Sequence, residues 1–444
     1  MSRRWAVPLG GQNAQADSAF RHALENAVWL FGGKGAGALL SLVYLAIVAQ
    51  TLGVATFGVF ALILAFGQVI GTVVGFQSWQ TVIRYGARHL ADGKVGPLRF
   101  VLGFTTALDL CAGAFATVLA SLGALAAGRT LGWSDQETQL AAWFGLSLLF
   151  GQRGTPTGIL RLFARFDLAA WSEFTLPVTR LLGTCAAWAA DGSLAGYLIA
   201  WGVAELATTV VMWATAASQL RAQGVPAGLP RIRGVADENP GILRFAVLTN
   251  LTSSIGPIWQ QVPILAVGWI VGPASAGGYR IAMQLGTALT KPVTSLARAL
   301  YPEMAKLTAT RDAAAVRLVL VRAALLTTAI GLLAILLVAV AGELLLSLIG
   351  GPDYVFVYPI FLVLTIASAV NLSGFGLEPA LVALGRPDKA LVARSLASIC
   401  YLVFLGVLLT MMGPIGAAWA TLAANACSVM LLHTSFRRLE ARLA

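Results

Sequence analysis

Leu52-Gly53-Val54-Ala55-Thr56-Phe57-Gly58-Val59-Phe60 is a short glycine-bearing turn between two long apolar runs. A second stretch has the same design: Val271-Gly272-Pro273-Ala274-Ser275-Ala276-Gly277-Gly278-Tyr279. Gly53 and Gly272, Gly58 and Gly277, and Phe60 and Tyr279 are each 219 positions apart. Further along, Ala164-Arg165-Phe166-Asp167 matches Gly385-Arg386-Pro387-Asp388 at an offset of 221, and Gly192 and Gly413 keep that offset. A nearly constant offset over several motifs reads as an internal repeat.

The runs around these motifs are membrane spans. Of 444 residues, 58% are hydrophobic and only 11% charged, and the mean hydropathy is +0.80. A soluble chain of this length is about a quarter charged. Too few polar groups exist to cover a water-facing surface, so the solvent is lipid. Apolar stretches of about 20 residues span the hydrocarbon core. They fall at about 28–50, 57–79, 98–122, 139–160, 168–189, 194–217, 242–271, 277–302, 318–341, 356–376, 391–412 and 414–436. The expected fold is an all-α membrane protein of about twelve transmembrane helices in two six-helix bundles. The first apolar run is too long for the core of a signal peptide and reads as an uncleaved first helix.

Charge fixes the expected topology. Arg3, Arg84, Arg88, Arg161, Arg165, Arg221, Arg244, Arg386, Lys389, Arg437 and their neighbours fall in or beside alternate loops, whereas the loops between them hold only Arg129. The positive-inside rule then places both termini in the cytoplasm, as an even number of helices requires. The net charge of +11 reports this topology; spread over separate short segments, it makes no nucleic-acid surface. The expected organisation is a cytoplasmic segment 1–26, a six-helix bundle 27–217, a linker 218–241 rich in Gly and Pro, a second bundle 242–437 and a tail 438–444. An even number of helices per half makes the repeats parallel, with a substrate site between them near the midplane.

Several chemistries are missing. No extramembrane segment exceeds about 26 residues, too short for a soluble catalytic domain. Gly32-Gly33-Lys34-Gly35 is not a P-loop: no Gly stands five residues before Gly33, and Lys34 is followed by Gly. His22, His89 and His433 form no metal or triad pattern, and the four cysteines show no CxxC spacing. Neither an enzyme nor a cofactor site is expected.

The charges at membrane depth carry the functional signal, because each must face a cavity or a partner. On the eighth helix, Arg280, Lys291 and Arg298 lie within about 20° of one face and span roughly 27 Å. On the seventh, Asn250, Ser253, Ser254, Pro257, Gln260 and Gln261 form a polar stripe. Lys34 shares a face of the first helix with Gly37, Ser41 and Tyr44. A water-filled cationic cavity would satisfy these groups; for Lys291 and Arg298, pairing with Glu378 or snorkelling is the other reading. In the N-terminal half, Lys34, Arg153 and Arg180 are offset by Asp109, Glu173 and Glu205, with Glu173 and Arg180 on one helix face. These charges either fix helix packing, or one carboxylate titrates and couples transport to protons or sodium. A basic cavity without hydrolytic machinery suits an anionic substrate moved by alternating access.

The chain resembles the oligosaccharide and polysaccharide flippases of the multidrug/oligosaccharidyl-lipid/polysaccharide (MOP) superfamily from about Lys34 to Leu432. The resemblance rests on Lys34-Gly35-Ala36-Gly37 with the Leu52–Phe60 turn, Ile83-Arg84-Tyr85-Gly86-Ala87-Arg88, Gly158-Ile159-Leu160-Arg161 and Gly277-Gly278-Tyr279-Arg280. It also rests on Tyr301-Pro302-Glu303, Leu384-Gly385-Arg386-Pro387 and Gly413-Pro414-Ile415-Gly416-Ala417-Ala418. It implies two bundles in a V, a central cationic cavity, and export of polyprenyl-pyrophosphate-linked glycans across the bacterial inner membrane for O-antigen, exopolysaccharide or capsule. Polysaccharide polymerases and glycosyltransferases are the implied partners. The chain departs from the pattern at Gln261-Val262-Pro263, where many members carry an Asp. The competing readings are a cation-coupled multidrug exporter of the same superfamily and a non-transporting membrane partner of a polysaccharide synthase.

Overall fold

The computed structural model describes the backbone of residues 12–225, 234–289, 313–374, 376–383 and 386–443, and most side chains from residue 37 on. The protein is all-α, with no strand among the described residues. Helix α1 (Gln12–Val74) is two helices joined across a kink at Gly53, which has φ 70° and ψ 173°. Then come α2 (Ser78–Ala91), α3 (Val95–Ala127), α4 (Asp135–Phe144), α5 (Leu148–Gly151) and α6 (Gly154–Leu162). They are followed by α7 (Phe166–Ala190), α8 (Leu194–Ala222), the short α9 (Val235–Glu238) and α10 (Ile242–Ile270). Helix α11 begins at residue 273 and is described to 289. Last come α12 (Ala313–Gly350), α13 (Tyr358–Ser373), α14 (Leu377–Ala383), α15 (Pro387–Met412) and α16 (Pro414–Leu443).

Seven described helices are long and apolar enough to cross a membrane. Their outer faces are apolar too: Val340 is 81% exposed, Met411 76% and Leu39 67%. Helices apolar all round belong in lipid. Two of the expected spans are broken. The span read as continuous over 139–160 is broken into α4, α5 and α6, with a non-helical step at Gln152–Arg153. The second span breaks as well: α1 stops at Val74, and α2 restarts at Ser78 and runs on to Ala91.

The chain forms two compact units, Leu40–Gly278, and Tyr279–Ala444 together with the residues before Leu40. The repeat is visible inside each. Gly53, Gly272, Gly192 and Gly413 all adopt positive φ, which costs an L-residue about 1–2 kcal/mol. Arg165 Nε and a terminal nitrogen donate to Asp167 at 3.0 and 2.9 Å; Arg386 does the same to Asp388 at 3.2 Å. Those donors hold the Asp167 carboxyl down at about 2 and lower that of Asp388. Both corners close alike, with Arg165 N bonded to Leu160 O and Arg386 N to Leu381 O. Each corner opens a helical hairpin, α7 on α8 and α15 on α16.

Within the Leu40–Gly278 unit, the two glycine-bearing turns touch. A Cβ on Gly277 would lie 2.9 Å from Gly58 Cα, and one on Gly58 would lie 2.0 Å from Pro273 O. Only glycine permits that approach. The end of the expected linker is packed: His89 bonds Asn239 at 2.7 Å, and Val235 and Ile242 are buried against Val101.

Candidate functional site

Two helix breaks meet at the centre of the Leu40–Gly278 unit. A helix start exposes N–H groups that need acceptors, and in lipid no water supplies them. Asp109, 3% exposed in the middle of α3, supplies one. One of its oxygens accepts from Thr155 N and Thr155 Oγ1, both at 2.7 Å; the other accepts from Ser78 Oγ. Thr155 lies in the first turn of α6 and Ser78 opens α2. The positive ends of two half-helices therefore converge on one carboxylate. Freed carbonyls are met likewise. Asn250 on α10 donates to Val73 O at 3.2 Å, and Thr209 on α8 donates to Phe150 O; Gln152 Nε2 adds a second donor at 3.4 Å to Gly71 O, which already accepts from Gly75 N.

The break also aims Arg153, the residue before α6. Its guanidinium meets one Glu205 oxygen at 2.8 Å, and Arg180 meets the other at 2.8 Å. The three side chains come from the α6 start, α7 and α8, and are 20%, 16% and 16% exposed. Arg180 lies 5.3 Å from the Trp201 ring centroid. Trp201 meets Tyr44 and Phe60 edge-on at 5.2 and 5.0 Å. Two guanidinium groups share one carboxylate, so the cluster carries one uncompensated positive charge among its described partners. Arg180 Nε is buried with no hydrogen-bond partner among the described residues.

The remaining candidates are placed as follows. Glu173 pairs with Arg161, at 3.8 Å, instead of the Arg180 that shares its helix face; Arg161 lies over Trp79 at 4.5 Å. Asn250 is buried, Gln260 exposed and Gln261 partly buried, with its Oε1 buried and unpartnered among the described residues. Arg280 is partly buried in α11. The Lys34 side chain, Lys291 and Arg298 lie outside the described residues. Glu378 pairs with Arg394 at 3.3 Å.

Ser78, Thr155, Trp201 and Thr209 have no sequence signature of their own. A signal for the break existed: Gly151, Gly154, Pro156 and Gly158 crowd about two turns of an apolar run.

The fold and this buried polar centre define a class, the multi-pass membrane proteins with the fold of the MOP-superfamily transporters. Solved structures of that class superpose over most of the chain. An inward-facing multidrug resistance MATE family transporter gives a TM-score of 0.71 at 14% identity, over 91% of this chain and 95% of its own. Lipid II flippase MurJ, in an inward closed conformation, gives 0.69 at 15% identity over 92% and 87%. A MOP superfamily transporter from Pyrococcus furiosus gives 0.63 at 16% identity over 99% of both chains. At the level of sequence, residues 23–308 match the model of the family described as "Polysaccharide biosynthesis protein". The inner membrane protein YghQ of Escherichia coli (strain K12) is 34% identical over 348 residues, 77% of this chain and 96% of its own. The chain belongs to the polysaccharide biosynthesis protein family.

Proposed function

We propose that this protein flips a polyprenyl-pyrophosphate-linked oligosaccharide, or a related anionic glycolipid, across the bacterial inner membrane by alternating access. The observation that carries the reading is the Arg153–Glu205–Arg180 cluster, a net cation within the bilayer span of a polysaccharide biosynthesis family member. Counting from Leu194 at the start of α8, Glu205 lies about 16 Å along the helix, near the middle of a ~30 Å hydrocarbon core. A phosphate crossing that depth needs donors to replace its water, and paired guanidiniums suit it. Lys34, Arg280, Lys291 and Arg298 are further cations offered to the anionic substrate, and Asn250, Gln260 and Gln261 are candidate polar contacts for it.

Glu205 is the preferred coupling carboxylate. It is the one carboxylate that holds both arginines of the cluster. Asp109 and Glu173 are the other candidates; Asp109 is already committed to two helix starts. The basic loop charges support cytoplasmic termini, and the repeat supports bundles 27–217 and 242–437. A polysaccharide polymerase and glycosyltransferases would act on either side of the transfer. Export of cationic drugs would favour an excess of carboxylate, and the cluster has the opposite balance.

The test is a strain lacking this protein but expressing its neighbouring glycan pathway. Lipid-linked glycan should accumulate on the cytoplasmic face and surface glycan should be lost, both reversed by the wild-type chain. Normal surface glycan in that strain refutes the reading.

A further inference from the structure

Between α4–α5 and the first half of α8 lies an apolar groove of about 270 Å³. Trp143, Leu146, Phe150, Ile199, Gly202 and Leu206 line it. Its rim is open to lipid: Trp143 is 70% exposed and Ile199 66%. The groove exists because the chain tightens to a 3-10 turn at Gly145–Ser147, and because α8 carries no side chain at Gly202. A Cβ there would meet only Ser147 Cβ, at an ordinary 3.7 Å. The space is thus unfilled, and a larger residue at 202 would occupy it.

The lining of the groove is apolar except for the Ser147 hydroxyl, and the ionic cluster lies next to it along the chain. Leu206 is the neighbour of Glu205, and Phe150 lies three residues before Arg153. The Arg153–Glu205 bridge at 2.8 Å ties the segment after α5 to α8, the two walls of the groove. A slot for an apolar chain therefore lies beside a net positive charge that includes Arg180, whose Nε has no hydrogen-bond partner among the described residues. Two helices bound it, so it admits a segment of one chain. A bulk glycerophospholipid keeps its phosphate at the interface, roughly 15 Å from mid-depth, and cannot reach the arginines while its chains lie in the groove. A lipid whose phosphate is itself crossing can do so.

We propose that this groove seats the isoprenoid segment nearest the phosphate of a polyprenyl phosphate or pyrophosphate, with the phosphate on Arg153 and Arg180. The proposal rests on the flippase reading and adds the tail site. It makes Gly202 a determinant of lipid specificity.

The experiment uses the full chain in nanodiscs of phosphatidylethanolamine and phosphatidylglycerol, with undecaprenyl phosphate carrying a diazirine on its first isoprene units. Labelling should map to the α4–α5 and α8 segments that line the groove. It should be competed by unmodified undecaprenyl phosphate and not by added phosphatidylglycerol. Gly202→Leu, which puts a better helix former in α8, should cut labelling there by about tenfold, roughly 1.4 kcal/mol of binding. Labelling spread over all lipid-facing helices, or equal competition by phosphatidylglycerol, overturns the proposal; mapping on the unmodified protein decides this even if the variant folds poorly. Binding is read apart from transport. Groove labelling in a chain dispensable for glycan export would retire the flippase reading alone, and normal export with an unlabelled groove would retire the groove alone.

Discussion

Four buried or partly buried charges organise the centre of the Leu40–Gly278 unit, and they do different work. Asp109 is a structural acceptor. Asp109→Ala would strand Thr155 N–H and two hydroxyls without water, and should cost about 2–3 kcal/mol; Asp109→Asn keeps an acceptor and should cost about 1. Thermal unfolding in detergent micelles, compared with wild type, checks both. Glu205 holds two arginines. Glu205→Ala leaves both without a carboxylate and should destabilise by about 3 kcal/mol in the same assay. Replacing the whole cluster, Arg153→Met, Arg180→Met and Glu205→Leu together, should restore most of that stability while abolishing transport. A buried ion cluster is a poor stabiliser compared with packed apolar groups, so its presence here is better explained by use than by stability.

The sequence located these charges but not their partners. Helix-face geometry put Glu173 beside Arg180, seven residues on. The real partner of Arg180 is Glu205, a helix away, and Glu173 turns to Arg161. Spacing along one helix describes one face only; which face meets which is a tertiary fact.

Among elements, the breaks matter most. Hydropathy cannot see them, because Leu148-Leu149-Phe150 and Ile159-Leu160 read as one apolar run. The polar step Gln152-Arg153 with its flanking glycines was the clue. The break is part of the repeat. At an offset of 221, Arg153 corresponds to Gly374, which separates α13 from α14. There Thr327 on α12 donates to Leu372 O at 2.9 Å, so the α12 partner satisfies a break as Asp109 on α3 does. The α6–α7 corner shows where the copies differ. Ala164 sits at φ 55°, the one non-glycine positive φ among the described residues, where the other repeat has Gly385. Ala164→Gly should therefore stabilise the protein by about 0.5–1 kcal/mol, the relieved strain less the added chain entropy. A raised unfolding midpoint checks it; a lowered one means the corner is unstrained.

Across the whole molecule, the repeat was legible because glycine leaves a residue-level signature wherever backbone geometry excludes side chains. Gly53 and Gly272, and Gly192 and Gly413, share positive φ as their spacing implied. What duplication did not keep is charge. The cluster positions 153, 180 and 205 correspond at an offset of 221 to Gly374, Tyr401 and Ala426. Tyr401 is buried, and Tyr279 makes a neutral hydroxyl contact to Thr421 at 3.4 Å. At these three positions the first copy carries charge and the second does not.

The most direct measurement is translocation of a labelled polyprenyl-pyrophosphate-linked oligosaccharide in proteoliposomes, with Arg153→Met, Arg180→Met, Glu205→Leu protein incorporated at the wild-type level. The account predicts wild-type transfer and none above protein-free vesicles for the triple variant. Wild-type rates from the uncharged cluster would contradict it.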